Sequence, residues 1–194
     1  MRAVLVERYG DPSVLVVKHD FPKPERARGE LLVRIHATSV NPVDTKIRRG
    51  LLKWTGGVIP KVLGGDVAGV VEESDPGSRF KPGDKVWGLV AGYRWSVKWG
   101  TYADYVTAPE AHFAPMPDNL SFEEAAALPL VALTAWQALG TVRLEPGQGR
   151  VLVHAGSGGV GSMAMQIAKA RGLHVTTTCS AQNIDLVKEV GCPC

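Results

Sequence analysis

Apolar and polar residues alternate in short runs through the first half of the chain and recur at helical spacing through the second. Residues 3–7 and 14–18 are β-rich, and Leu31, Val33 and Ile35 alternate with Leu32, Arg34 and His36, the period of a half-buried strand. Residues 67–73, 85–90 and 102–107 add further strands. Between the runs stand Gly10-Asp11-Pro12, Pro22-Lys23-Pro24 and Lys81-Pro82-Gly83-Asp84, where fixed proline φ angles and permissive glycines make turns. This half reads as a compact antiparallel β structure, closed like a barrel. One short helix is expected over residues 43–49, behind Asn41-Pro42, because proline suits a first helical position.

At Ser121 the period changes. Ser121 followed by Glu124 is a capping-box pattern that opens a helix over residues 122–128; Pro129 interrupts it, and residues 131–139 resume as a helix that Gly140 can close. A turn at Glu145-Pro146-Gly147 leads into apolar Val151, Leu152 and Val153. Then come Gly156, Gly158 and Gly161, spaced G-x-G-x-x-G, and a helical face of Val160, Met163, Ala164, Ile167 and Ala168. A second strand (residues 174–178) and helix (184–190) follow. The shift in character divides the chain into residues 1–120, mostly β, and residues 121–194, of α/β type.

The glycine turn suggests a diphosphate. Gly156 permits a tight turn, Gly158 lets backbone approach a ligand with no side chain between, and Gly161 lets the helix pack closely on the strand. The N–H groups of the new helix then face an anion. The alternative is a glycine-rich turn with a purely steric role.

Bulk composition narrows the remaining classes. A chain of 194 residues, 45% hydrophobic and 21% charged, is ordinary for one large or two small globular domains. The net charge of +3 is spread out, with Arg48-Arg49 the densest pair, which argues against nucleic acid and against a polybasic membrane patch. No apolar run approaches a membrane span and the N-terminal residues carry no signal-like h-region, so a cytoplasmic location is expected. Cys179, Cys192 and Cys194 are too few and too clustered for a disulfide framework, and Cys192-Pro193-Cys194 lacks the partners that a zinc site needs.

Several motifs stand in one order: Asn41-Pro42-Val43-Asp44, Gly64-Gly65-Asp66-Val67-Ala68-Gly69-Val70, Lys81-Pro82-Gly83-Asp84, Leu133-Thr134-Ala135 and the glycine turn. With them the chain resembles the medium-chain dehydrogenase/reductases, and within these the zinc-free quinone oxidoreductase branch with zeta-crystallin and the alkenal/enone reductases. The resemblance implies a GroES-like β-barrel domain followed by a Rossmann domain. It also implies an NADPH-dependent oxidoreductase that transfers hydride to a quinone or an α,β-unsaturated carbonyl. Carried over by motif, Asn41, the candidate catalytic residue, and Thr134 would contact the nicotinamide end of the cofactor. Gly156, Ser157, Gly158, Gly159, Val160 and Gly161 would hold the diphosphate. Each has a structural alternative: Asn41 as a turn residue before proline, Thr134 as a satisfied helix hydroxyl. Tyr93, Trp95, Trp99 and Tyr102 would line an apolar acceptor pocket or belong to the β core.

Zinc-dependent relatives bind a catalytic metal through Cys, His or acidic ligands, and a structural metal through four close cysteines. This sequence has Asn41 where a Cys ligand is expected and Gly65-Asp66 where a His-Glu pair would follow glycine, so a metal-free site is expected. Cofactor choice rests on the end of the second strand, where an Asp or Glu would hold a ribose 2′-OH. That stretch carries no acid; Ser180 can donate to a 2′-phosphate, which favours NADPH over NADH, although the Arg or Lys usual in the branch is missing and Gln182 is neutral. The sequence supplies only the first two Rossmann strands, so a C-terminally truncated, incomplete Rossmann domain with an exposed edge on its first strand is expected. A second function follows from that edge: a catalytically inactive fragment that binds a full-length relative. Both homo- and hetero-oligomers stay open.

Overall fold

The computed structural model describes residues 1–53, 59–90, 99–141 and 149–191. Two antiparallel sheets make up the first part. The smaller has the order β2 (Leu15–Lys18), β1 (Ala3–Val6), β4 (Lys61–Val62). The larger has the order β7 (Tyr105–Pro109), β3 (Glu30–Ala37), β5 (Asp66–Glu73), β6 (Lys85–Leu89), β8 (Phe113–Pro115). A bridge between Ala3 and Ala103 and the bond from Val4 N to Tyr102 O join them into a curled β structure. Leu31, Val33, Val67, Val71, Phe80, Val86, Val106 and Phe113 fill its interior. Each large aliphatic or aromatic side chain so buried contributes about 1.5–3 kcal/mol relative to exposure.

The alternation in β3 holds: Leu31, Val33 and Ile35 pack on one core cluster, and Leu32, on the opposite face of the strand, is buried as well. Beside it the ladder shifts, with Leu32 opposite Glu73 and Val33 opposite Val71, which leaves an extra residue on β5. One strand expectation is corrected. The strand expected over residues 102–107 starts three residues later, because Tyr102 and Ala103 pair with the first strand instead.

Helix signals were local and hold. The helix α1 (Pro42–Arg48) has Asn41 as N-cap and Pro42 in its first turn, and Asp44 Oδ2 accepts from Asn41 N at 2.8 Å. In α2 (Phe122–Ala126) the capping box is reciprocal: Glu124 N donates to Ser121 Oγ and Ser121 N to the Glu124 carboxylate. Ala125 and Ala126 of this helix pack on Ala68 and Met116. The next helix, α3 (Pro129–Gly140), starts at Pro129 itself, so that proline opens a helix as well as ending one.

The chain's contacts divide into Met1–Pro129 and Leu130–Cys194. The sequence reading starts the second part at Ser121; the packing of α2 on β3, β5 and β6 moves the division past Pro129. In the second part β9 (Arg150–Val153) pairs in parallel with β10 (His174–Thr177), Val151 opposite Val175. The helices α4 (Gly159–Ala170) and α5 (Ile184–Glu189) complete it. Ala135, Leu139, Ala164, Met165, Ala168, Leu173, Val175 and Val187 form one core. The buried face of α4 runs Gly161, Ala164, Met165, Ala168, so Met165 is inside while Val160, expected on that face, is exposed. No helix among the described residues is long and apolar enough to cross a membrane. Tyr93, Trp95, the turn at residues 145–147, Cys192 and Cys194 lie outside the described residues.

Candidate functional site

The glycine turn connects β9 to α4, as its spacing predicts, and each glycine has a different reason to be there. A Cβ on Gly161 would lie 2.3 Å from Ala155 O and 2.8 Å from Gly156 Cα, so the helix start and the turn touch backbone to backbone. A Cβ on Gly156 would meet Thr177 Oγ1 at 2.1 Å and Met165 Sδ at 2.9 Å. The left-handed residue of the turn is not this glycine but Ala155, at φ 55°, which corrects the torsional role expected of Gly156. Gly158 differs from both. It is the N-cap of α4 in extended conformation, and an added Cβ would approach only Ala155 O, at 3.3 Å. The protein's own packing thus demands glycine less strongly at position 158 than at 156 or 161, and its backbone is the one of the three left open on most sides.

Hydroxyls from the end of β10 hold this turn in place. Thr177 Oγ1 donates to Val153 O at 2.6 Å, Ala155 N donates to Thr178 Oγ1 at 3.2 Å, and Gly156 N donates to Thr178 O at 2.9 Å. His154 Nδ1 shares a 3.2 Å bond with the same Thr178 hydroxyl. Asn183 Nδ2 donates to Ser157 Oγ at 3.1 Å, tying the turn to the segment that begins at Ser180. Ser180 is exposed and caps the 3-10 turn Ala181–Asn183. Thr177, Thr178 and Asn183 were not singled out from sequence; the run Thr176-Thr177-Thr178, three hydroxyls closing a strand, was the available signal. With α4 twelve residues long and opening on this turn, its first N–H groups have no intrahelical acceptors. Gly156, Ser157, Gly158, Gly159, Val160 and Gly161 therefore fit a dinucleotide diphosphate, and the open side at Gly158 is the test they pass.

Asn41 belongs to a second, buried constellation in the first part of the chain. Its carboxamide Nδ2 donates to Asp66 Oδ2 at 2.6 Å and to Ser39 Oγ at 3.1 Å, and Ser39 Oγ donates to that same Asp66 oxygen. Asp44 accepts from Asn41 N at 2.8 Å and from Gly64 N at 3.0 Å. Asn41, Asp44, Lys61 and Asp66 are all buried. Burial pushes the Asp44 carboxyl above the usual carboxylate range, while its bonds from Asn41, Gly64 and the Tyr102 hydroxyl pull the other way and the Asp66 charge adds to the rise. Burial lowers the Lys61 ammonium below its ordinary value, and Asp44 opposes that. The sequence named Asn41 as a contact residue and displayed Asp44 and Asp66 only as motif letters. The N-x-x-D spacing of a helix N-terminus was the legible part of their partnership.

Thr134 is exposed, and its hydroxyl donates to Leu130 O one turn back at 2.7 Å, as in the structural alternative. Tyr102 packs among Val6, Ile47, Leu63 and Ala3 in the β core, and Trp99 stacks edge-on against Phe21 at 4.7 Å. Among the described residues no three His, Cys, Asp or Glu side chains group as metal ligands.

Residues 27–118 match the family model of the alcohol dehydrogenase GroES-like domain. A quinone-oxidoreductase homolog of the chloroplast of Spinacia oleracea is 38% identical over 198 residues, covering 98% of this chain and 59% of the relative. The quinone oxidoreductase from Coxiella burnetii superposes with a TM-score of 0.85 at 37% identity, covering 98% of this chain and 60% of that one. Escherichia coli quinone oxidoreductase complexed with NADPH superposes with a TM-score of 0.82 at 30% identity, covering 98% and 56%. The chain spans little more than half the length of these relatives. A GroES-like β part, a parallel βαβ unit around G-x-G-x-x-G and these similarities together mean that the chain belongs to the medium-chain dehydrogenase/reductase superfamily, on its quinone oxidoreductase branch.

Proposed function

We propose that this chain carries the cofactor turn and the GroES-like part of an NADPH-dependent, zinc-independent oxidoreductase that reduces a quinone or an α,β-unsaturated carbonyl. The observation that carries the reading is Gly158, a helix N-cap where an added Cβ would meet only Ala155 O, at 3.3 Å, so that its missing side chain leaves room for an external group. The reduced nicotinamide supplies the hydride when bound. The protein's work is positional: the turn from Gly156 to Gly161 seats the diphosphate and Ser180 takes the ribose. Preference for NADPH is supported by the absence of an acid in residues 178–183 and by the hydroxyl of Ser180, and the NADPH-bound state of the Escherichia coli relative agrees with it. Titration of the purified chain with NADPH and with NADH, followed by nicotinamide fluorescence, tests the reading. Saturable binding, tighter for NADPH, is expected; no binding of either by a discrete soluble species overturns it.

One observation favours a second reading. Among the described residues β9 is paired only with β10, and Leu152 on it is 56% exposed. Beside its other edge runs an apolar groove of about 450 Å³, lined by Ala138, Leu139, Val151, Val153 and Val160 among others. Such an edge can accept a further strand. In this reading the chain is inactive by itself and acts by pairing with a longer relative. Size exclusion on the titrated sample separates the two: a discrete species that binds cofactor supports the first, and a species that binds none unless mixed with a longer relative supports the second.

A further inference from the structure

Asn183 stands where a helix-capping side chain is expected and makes a different bond. It is the N-cap residue of α5, a position at which an Asn oxygen ordinarily accepts from the first N–H groups of the helix it precedes. No such bond is made. Instead Nδ2 donates to Ser157 Oγ at 3.1 Å, twenty-six positions back in the glycine turn. The main chain is held as well, with Asn183 N donating to Ser180 O at 2.9 Å to close the 3-10 turn. One residue therefore joins Ser157, through its side chain, to Ser180, through its backbone. The direction of the first bond decides what Ser157 has left to offer. A hydroxyl has one proton and two lone pairs, so one that accepts from an amide nitrogen directs its proton elsewhere. Among the described residues the Ser157 side chain has no other partner. Beside it the first N–H groups of α4 also lack intrahelical acceptors, and a group of donors of this kind suits an oxygen-rich anion.

We infer that Asn183 is a positioning residue that turns the Ser157 hydroxyl proton toward the ligand, so that Ser157 meets a diphosphate oxygen as a donor. The inference rests on the dinucleotide reading above for its ligand and adds to it the residue that orients Ser157. A bond from a hydroxyl to a charged oxygen is stronger than one between neutral groups, which makes the orientation count in affinity. It also settles where the effect of Asn183 is felt. The diphosphate is common to NADPH and NADH, so Asn183 acts on both cofactors alike and leaves the choice between them to the neighbours of the ribose.

The test compares affinities of the full chain for NADPH and NADH, by nicotinamide fluorescence, in the wild type, Ser157→Ala, Asn183→Ala and the double variant. Each single variant should weaken both cofactors by about fivefold, the size of one hydrogen bond. The double variant should bind no worse than either single one, because the amide acts only through the hydroxyl. Effects that multiply, to about twenty-five-fold, would mean that Asn183 acts on the fold and not through Ser157. A loss confined to NADPH would mean that it touches the 2′-phosphate itself, and either result overturns the inference. Asn183→Asp keeps the shape and a residue suited to an N-cap, so it serves where alanine unfolds α5. Its carboxylate has no proton to give, so the Ser157 hydroxyl must turn inward to donate to it; both affinities should fall below those of Asn183→Ala, and wild-type affinity overturns the inference. A ligand-free readout is separate from binding: Ser157→Ala should move the side-chain NH2 resonances of Asn183 in NMR spectra, and unmoved resonances overturn the bond between them. If the wild type binds neither cofactor, the proposed function fails and the diphosphate role of Ser157 with it, while the resonances still decide the bond.

Discussion

Replacing Gly158 and Gly161 one at a time separates what the turn does for the fold from what it does for a ligand. In Gly161→Ala the new methyl sits 2.3 Å from Ala155 O, 2.8 Å from Gly156 Cα and 3.0 Å from Ala155 C, all backbone atoms. Carbon atoms are comfortable near 3.5 Å, so α4 must retreat by about 1 Å from the turn. Overpacking of this kind costs about 1–3 kcal/mol. The helix regains about 0.5–1 kcal/mol from alanine over glycine, so the mid-range net loss is about 1.3 kcal/mol. At a urea dependence of about 2 kcal/mol per molar, the midpoint should drop by roughly 0.6 M. In Gly158→Ala the methyl meets only Ala155 O at 3.3 Å, and the extended backbone there suits any residue, so the midpoint should stay within about 0.3 M of wild type. Its effect should appear in binding, with NADPH affinity down about tenfold or more as the methyl stands against the diphosphate. Gly158→Asp, which adds a negative charge, should abolish binding. Unfolding curves and fluorescence titrations on the same samples read both effects. Wild-type affinity in Gly158→Ala would refute the assignment of the open side to a ligand, and a wild-type midpoint in Gly161→Ala would refute the close-contact argument.

Leu31→Ala, at a fully buried position of the larger sheet, should destabilise the first part of the chain by about 2–5 kcal/mol, read as a fall in urea midpoint; a loss under about 1 kcal/mol would mean that the interior is not close-packed. His36 stacks on Phe122 at 4.2 Å, and partial burial, with Arg34 and Lys85 adding to it and Glu123 opposing, holds its imidazole below the ordinary 6.5. The unfolded chain therefore takes a proton first as pH falls, so this contribution is complete above 6.5 and is lost as pH drops through the lower folded value. Comparing urea midpoints near pH 7.5 and near pH 5.5, His36→Gln should flatten the decline, and an unchanged slope would exclude His36 as its source. Metal analysis of purified protein should find no stoichiometric zinc, and one zinc per chain would overturn the zinc-independent reading.

The sequence by itself determined whatever depends on near neighbours. Ser121 and Glu124 are three apart and close their capping box within one helical turn, and Asn41-Pro42 opens α1 for the same local reason. The glycine spacing named the βα turn, because strand, turn and helix are contiguous. Tertiary structure decided what depends on residues distant in the chain. Leu32 is buried although the alternation of β3 puts it on the face away from Leu31 and Val33, a fact invisible in β3 alone. Gly156 is crowded by Thr177 and Met165, whereas at Gly158 only Ala155 O comes near, at 3.3 Å, a distinction no spacing reveals. Asn41 was legible as the residue that opens α1, because Pro42 and Asp44 stand beside it; its bond to Asp66, twenty-five positions away on β5, was not, because only the fold brings the two together.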